Sequence, residues 1–363
     1  MTRYYCLSCG ADYPKNGLVH LCPDCGGVFS VRELAYTPEK FQLSELPGMW
    51  RYRALFGLED DVPPFYLGEG NTPLLERQFQ GKSVFFKCEH LNPSGSFKDR
   101  QSAVLMPLVQ SRGINAILED SSGNAGASVA QYAAGAGVKA KIFIPGSSSG
   151  PKRQQIEMSG AEVVLVDGPR ANAAQAVLEE HARTGLPYAS HALLPFGLAA
   201  YASIAFEIYE KMGRMPGQVI APIGHGSLFL GLLLGFEALS DYHGEPRPSM
   251  IGVQAENCAP VYQAWKGLPT EPAKPTLAEG TAVSEPVRAR EIIEKLIRGK
   301  DDIIPVKEES IARSQLALAG MGLYVEPTAA MVWSVAESVL EDRGHSAGEL
   351  VLILSGNGLK SMR

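Results

Sequence analysis

Four of the six cysteines fall within the first 25 residues. Cys6 and Cys9 in CLSCG, and Cys22 and Cys25 in CPDCGG, form two C-x2-C pairs with 12 residues between them. Each short turn followed by glycine lets two thiolates face one metal ion. Two such turns complete a closed tetrahedral four-sulfur site of the structural zinc type. Iron can occupy the same four sulfurs, and zinc is the expected occupant. A closed site leaves no position for a substrate, so its role is structural. Cys88 and Cys258 stand apart and read as small buried hydrophobes.

The second chemical feature is Lys98, in the stretch NPSGSFKDR from Asn92 to Arg100. A lysine becomes a nucleophile when burial or neighbouring charge lowers its ammonium pKa, and Schiff-base chemistry follows from that. Two glycine-rich turns give the lysine company. SSGNAG, Ser121 to Gly126, follows a predicted strand and opens a predicted helix, an arrangement that aims backbone N–H groups and small hydroxyls at an anion. PIGHGS, Pro222 to Ser227, repeats the arrangement after another strand. Two anion-accepting turns and a Schiff-base lysine call for a phosphorylated aldehyde cofactor and a carboxylate-bearing substrate.

The elements that must position these groups alternate along the chain. Short β-branched and aromatic runs predict strands at Ser83–Lys87, Ile114–Asp120, Lys141–Pro145, Glu162–Asp167, Gln218–Ile223, Met250–Ala255, Asp302–Val306 and Glu349–Ser355. Alanine-rich stretches that end at glycine, Ala127–Gly137 and Ala171–Gly185, predict helices. Near-continuous apolar strands separated by helices mean an α/β fold of mostly parallel sheets covered on both faces, and this many strands suits two sheets with a cleft between. The Pro/Glu-rich stretch Gly267–Thr281 reads as a long surface loop.

Composition narrows the partners. The chain has 363 residues, 45% of them hydrophobic, and a net charge of −6. No basic block is present to attract nucleic acid or an anionic membrane, and the ribbon carries only Arg3 and Lys15 against Asp12 and Asp24. The most apolar segment, Ser227–Phe236, is too short to cross a bilayer and reads as a buried helix. The N-terminal residues lack the basic-then-apolar order of a secretory signal, so a reducing cytoplasm is expected.

The phrase EHLNPSGSFKDR resembles the lysine motif of threonine synthases, within the tryptophan synthase β-like, fold-type II pyridoxal phosphate (PLP) enzymes. SSGNAGAS is similar to that family's asparagine loop, GHGS to its phosphate loop, and LSGNGLK to its closing motif. The resemblance covers essentially the whole chain, ribbon included. It implies a PLP-dependent lyase of two α/β domains behind the ribbon: residues 1–32 as the zinc ribbon, 33–90 with 200–363 as the PLP-binding domain, and 91–199 as the substrate-side domain.

By the same resemblance Lys98 carries PLP as a Schiff base and is the general base and acid. Asn124 contacts the ring hydroxyl, and Gly224, His225, Gly226 and Ser227 hold the phosphate. Ser355 hydrogen-bonds the pyridine nitrogen, and Ser121, Ser122, Gly123, Asn124 and Ala125 hold the substrate carboxylate. A neutral hydroxyl at the ring nitrogen weakens the electron sink and favours elimination and replacement over transamination. The implied reaction converts O-phospho-L-homoserine and water to L-threonine and phosphate, in a homodimer.

Two departures bear on the substrate: His225 stands where the family has asparagine or a small residue, and SGN stands where it has threonine-glycine-histidine. The nearest alternative is a β-replacement or elimination enzyme acting on O-phosphoserine, serine, threonine or diaminopropionate, as in cysteate synthase. A protein that retains PLP without turnover is the rival from another class.

Overall fold

Runs such as VFF, IFI and LVLI form strands because branched and aromatic side chains pack well on a pleated surface buried on both faces. The computed structural model describes residues 3–42, 44–148, 150–341 and 348–361. Its strands are β1 (Tyr4–Cys6), β2 (Phe29–Val31), β3 (Leu74–Phe79), β4 (Lys82–Lys87), β5 (Ala116–Glu119), β6 (Lys139–Pro145), β7 (Glu162–Val166), β8 (Gln218–Pro222), β9 (Ser249–Ala255), β10 (Asp302–Val306) and β11 (Leu350–Ile353). Its helices are α1 (Pro38–Gln42), α2 (Asp99–Ser111), α3 (Asn124–Ala136), α4 (Pro151–Met158), α5 (Arg170–Thr184), α6 (Phe196–Met212), α7 (Ser227–His243), α8 (Pro260–Lys266), α9 (Ala289–Lys295), α10 (Glu308–Gly320) and α11 (Pro327–Glu341).

The chain divides into two units. The first takes in Met1–Gly70 and Asn92–Ala200. It holds a parallel three-stranded sheet in the order β5-β6-β7, around Leu118, Phe143, Ala173, Val177 and Tyr188. After α5 the chain returns beside β5, where the Leu118 N–H donates to the Pro187 carbonyl at 2.9 Å and the Ala189 N–H to the Leu118 carbonyl at 2.8 Å. That pairing brings Tyr188–His191 to the carboxyl end of β5.

The cysteine ribbon belongs to the same unit. Its strands β1 and β2 pair antiparallel with Cys6 opposite Phe29. Tyr4 and Tyr13 stack edge-on against Phe196 at 4.9 and 5.1 Å, and the Arg112 guanidinium donates to the Gly17 carbonyl at 2.7 Å. Burying an aromatic ring of this kind contributes about 1.5–3 kcal/mol, which is how a segment with little core of its own is held in place.

The second unit, Asn71–Leu91 with Tyr201–Ser361, holds a six-stranded sheet in the order β10-β9-β8-β11-β4-β3. All neighbours run parallel except β3 and β4, a hairpin whose polar outer strand closes one edge. Helix α11 lays Ala329, Met331, Val332, Trp333 and Val335 on the core, and α7 is buried along most of its length. No helix among the described residues is long and apolar enough to cross a membrane. The stretch after Gly267 is an exposed irregular loop up to a single 3-10 turn at Glu279–Thr281.

Candidate active site

In the first unit, Lys98 stands at the head of α2, and the motif around it explains its own residue types. Asn92 accepts the Gly70 N–H at 3.0 Å and turns the chain back through a Gly95 N–H to Asn92 carbonyl bond of 2.8 Å. Asp99 is fully buried and takes the Ser94 N–H at 2.6 Å, the Ser94 hydroxyl, and the Ser128 hydroxyl at 2.6 Å. The Ser102 hydroxyl donates in turn to the Ser128 oxygen at 2.8 Å, so the first turns of α2 and α3 are pinned together. Asp99 is therefore structural. The Lys98 amine, 4.8 Å from the Phe97 ring centroid, is pushed down to about 8 by burial, with Glu119 opposing the fall and Arg170 adding to it.

The second group at this end of the unit is the SSGNAG turn. Gly123 is the N-cap of α3, and its N–H reaches the Ser121 hydroxyl at 3.2 Å. A Cβ on Gly126 would lie 1.8 Å from the Ser121 carbonyl oxygen, so only glycine lets the turn fold tightly onto the helix. The N–H groups in the first turn of α3 lack intrahelical partners and give this end partial positive charge. Ser121, Ser122, Gly123, Asn124 and Ala125 thus line an anion-accepting turn, which α2 and α3 bring to the same end as Lys98.

The same end also carries residues that the motif reading missed. Glu119, the last residue of β5, accepts the His191 N–H at 3.3 Å and meets the His191 Nδ1 at 2.5 Å, with Asp120 beside it. All three are buried. Burial pushes Glu119 up to about 8 against the lowering charge of Lys98, and burial with the Lys98 charge pushes His191 down to about 3. The imidazole is therefore neutral near pH 7 and the contact is a hydrogen bond rather than an ion pair.

In the second unit, the other glycine turn follows β8. The Arg288 N–H donates to the His225 carbonyl at 3.0 Å, and Gly226, at φ 98°, is the N-cap of α7. A Cβ on Gly226 would come 2.6 Å from Ile292 Cδ1 and 2.9 Å from Arg288 Cβ. One on Gly224 would stand 3.2 Å from the Gly280 carbonyl oxygen. The register that pairs Leu352 of β11 with Ile220 of β8 carries Ser355 level with Ile223, at the carboxyl edge where ligands of parallel sheets bind. The second unit thus brings Gly224, His225, Gly226, Ser227 and Ser355 to neighbouring strand ends.

Within the second unit, the glycine turn with Ser227 and Ser355 fits the phosphate and ring of a phosphorylated pyridine aldehyde. The hydroxyls of Ser227 and Ser355 are buried without a hydrogen-bond partner among the described residues, as is that of Ser96 two residues before the lysine. Buried hydroxyls left unpaired cost free energy, and Ser227 and Ser355 in the second unit are thus open to a ligand acceptor.

The four ribbon cysteines fit a metal as well. Their sulfurs lie within 4.8 Å of one another, with Cys6 3.5 Å from Cys25 and Cys9 3.7 Å from Cys22. The Gly10 N–H to Cys6 carbonyl and Gly26 N–H to Cys22 carbonyl bonds close the two knuckles, and a Cβ on Gly27 would stand 2.7 Å from the Cys6 sulfur.

Comparison with known proteins agrees with this chemistry. The pyridoxal-phosphate dependent enzyme family matches residues 65–356. A threonine synthase of Methanocaldococcus jannaschii is 30% identical over 98% of this chain and 92% of its own length. One of Methanosarcina acetivorans is 29% identical over 91% of this chain and 85% of its own. Among solved structures, a threonine deaminase of T.th. superposes with a TM-score of 0.67 at 28% identity, over 79% of this chain and 92% of that one. Maize serine racemase shares the fold, with a TM-score of 0.68 at 21% identity over 79% of this chain and 89% of its own. The chain belongs to the pyridoxal-phosphate dependent enzymes, as a threonine synthase-like lyase of the fold-type II class.

Proposed function

We propose that the protein is a threonine synthase that converts O-phospho-L-homoserine and water to L-threonine and phosphate. The observation that carries this reading is the Lys98 amine, pushed down to about 8 at the head of a helix pinned to the anion-accepting end of α3. The relatives named threonine synthase support the choice of substrate, since they match along nearly the whole chain.

In this reading Lys98 holds the cofactor covalently. Gly224, His225, Gly226 and Ser227 take its phosphate, Asn124 its ring hydroxyl and Ser355 its ring nitrogen. Bound PLP supplies an electron sink that makes the substrate Cα–H acidic. Once the substrate's own amino group had displaced it from the cofactor, the freed Lys98 amine would take that proton and shuttle the others needed for the γ-phosphate to depart and for water to add at the β-carbon. The backbone of Ser121, Ser122, Gly123, Asn124 and Ala125 orients the substrate carboxylate. Ser355, a neutral donor, leaves the ring nitrogen unprotonated. A structural zinc on Cys6, Cys9, Cys22 and Cys25, a cytoplasmic location and a homodimer complete the proposal.

A second reading keeps the chemistry and changes the leaving group: elimination or replacement on O-phosphoserine, serine, threonine or diaminopropionate. Two observations favour it, the His225 and Ser355-Gly356-Asn357 departures and the likeness to a threonine deaminase at 28% identity. Phosphate release and threonine formation from O-phospho-L-homoserine, with O-phosphoserine alongside, separate the two. Threonine with equimolar phosphate is the expected result. Silence on phosphohomoserine together with turnover of another of these amino acids would replace it with the second reading.

A further inference from the structure

The second unit has a cavity of about 590 Å³ that is lined by none of the residues singled out in the sequence. It reaches Gln218, Ser249 and Asp302, the first residues of β8, β9 and β10, whereas the glycine turn and Ser355 stand at the carboxyl ends of the strands. Ile251 and Ile304 of the sheet and Val335 and Val339 of α11 give it an apolar wall. A concavity of this size, apolar with a few polar groups, suits a small organic molecule.

The polar groups gather where β10 begins. Lys266, Arg298 and Lys300 stand there against Asp301 and Asp302, and both acids are already engaged within the protein. Asp301 receives the buried Arg247 guanidinium at 2.9 and 2.6 Å, with the Met250 and Ile297 N–H groups besides. Asp302 receives the Lys266 ammonium at 2.6 Å and the Trp265 indole N–H at 3.1 Å. Arg298 lies over the Trp265 ring at 4.5 Å, and Lys300 donates to the Arg247 carbonyl. With Arg247, four cations therefore face two acids, and crowded like charges in a cleft raise the potential that draws an anion. Gln218 belongs to the same end: it pairs in register with Ser249, whose hydroxyl donates to the Lys300 carbonyl. Its side-chain oxygen is buried with no hydrogen-bond partner among the described residues, an acceptor open to a ligand donor.

We propose that this cavity binds a small organic anion: an acidic head, carboxylate or phosphate, at Arg298 and Lys300, an N–H or O–H donating to Gln218, and an apolar body against Ile304, Val335 and Val339. The site is independent of Lys98 and of the substrate, so its test leaves the proposed reaction untouched.

The probe is anilinonaphthalene sulfonate, an aromatic anion that fluoresces in apolar cavities, titrated into the PLP-loaded protein beside phenylnaphthylamine, the same rings without the sulfonate. Saturable binding of the sulfonate is expected, weakened by added salt. Replacing both cations, Arg298→Gln with Lys300→Gln, should weaken it about 10-fold or more while changing phenylnaphthylamine less than about two-fold. Ser334→Phe, which narrows the cavity and leaves its charges, should weaken both dyes. Displacement of the bound sulfonate by phenylacetate or by phenyl phosphate assigns the acidic head, and displacement by neither would overturn the proposal. Sulfonate binding unchanged in the folded charge variant, judged by circular dichroism, would do the same. So would equal loss of both dyes in that variant, the behaviour of an apolar patch that does not recognise charge.

Discussion

The two glycine turns share a plan and differ in charge. Each follows a parallel strand, β5 or β8, and each opens a helix whose first N–H groups are unpaired by the helix itself. Around the first stand Lys98, Glu119 and Asp120, whose ionisation burial shifts toward neutral pH, with the Arg170 charge acting on them. The second is built mainly from glycines and the hydroxyls of Ser227 and Ser355, which do not ionise, with His225 in the turn and the buried Arg288 packed against it. The difference separates two tasks. Proton transfer requires groups whose charge changes near neutral pH, whereas gripping a phosphorylated ring requires donors whose charge stays fixed.

The sharpest way to break this division is at Lys98. In the proposed reading Lys98→Ala removes the base, the acid and the cofactor anchor together, and turnover should fall by at least about 10³-fold. Steady-state assays after PLP loading measure it. Retention of more than a few per cent of activity would remove proton transfer from the first turn. The protein should stay folded, since Asp99, not Lys98, ties α2 to α3.

Single positions differ in packing, although Gly226 of the second turn is tightly enclosed, as Gly126 of the first is. Gly126→Ala forces a methyl to within 1.8 Å of a backbone oxygen, whereas Gly224→Ala meets its nearest neighbour at 3.2 Å. The first should cost about 1–3 kcal/mol and the second well under that. Thermal melts should then show a drop of several degrees for Gly126→Ala and little change for Gly224→Ala. Equal melting temperatures would mean that both positions have the same room to move.

These two turns also mark the limit of what the sequence discloses. Both were legible because a strand, a glycine cluster and a helix start are local features a few residues apart. The strands from β4 to β11 were legible for the same reason, each being a short apolar run. By contrast, β3 reads LLERQF, with exposed polar residues, and is a strand only because β4 pairs with it. The Glu119–His191 contact joins residues 72 apart. Nothing in the spacing of an acid and a histidine at that distance reports a bond. The acid pair at the end of β5, just before a ligand turn, is the one local trace of it, and in the sequence it reads as the polar end of a strand.

A pH profile sharpens the ionising side. A lysine of ordinary pKa, near 10.4, gives a rate of PLP capture still rising at pH 10. For Lys98, pushed down to about 8, the neutral amine predominates above that value. Capture by the PLP-free protein, followed by absorbance, should therefore climb through about pH 8 and level off by about pH 9. A profile rising without a plateau would place Lys98 in ordinary solvent.

The smallest expected effects lie on the neutral side, at Ser227 and Ser355, and there the sign matters more than the size. A buried hydroxyl with no partner lowers the stability of the empty protein by about 1–3 kcal/mol, and that cost is recovered only when a ligand supplies the missing acceptor. Replacing either serine with alanine should then raise the melting temperature of the PLP-free protein slightly while weakening PLP. If Ser227 holds the phosphate and Ser355 the neutral ring nitrogen, as proposed, Ser227→Ala should lose more affinity than Ser355→Ala: about 10-fold or more against less than about 10-fold. Serines kept for structural reasons would behave in the opposite way, their removal lowering the melting temperature with PLP affinity unchanged. Opposite signs for stability and affinity, measured by melts and by cofactor titration on the same two variants, are therefore the signature of hydroxyls reserved for a ligand.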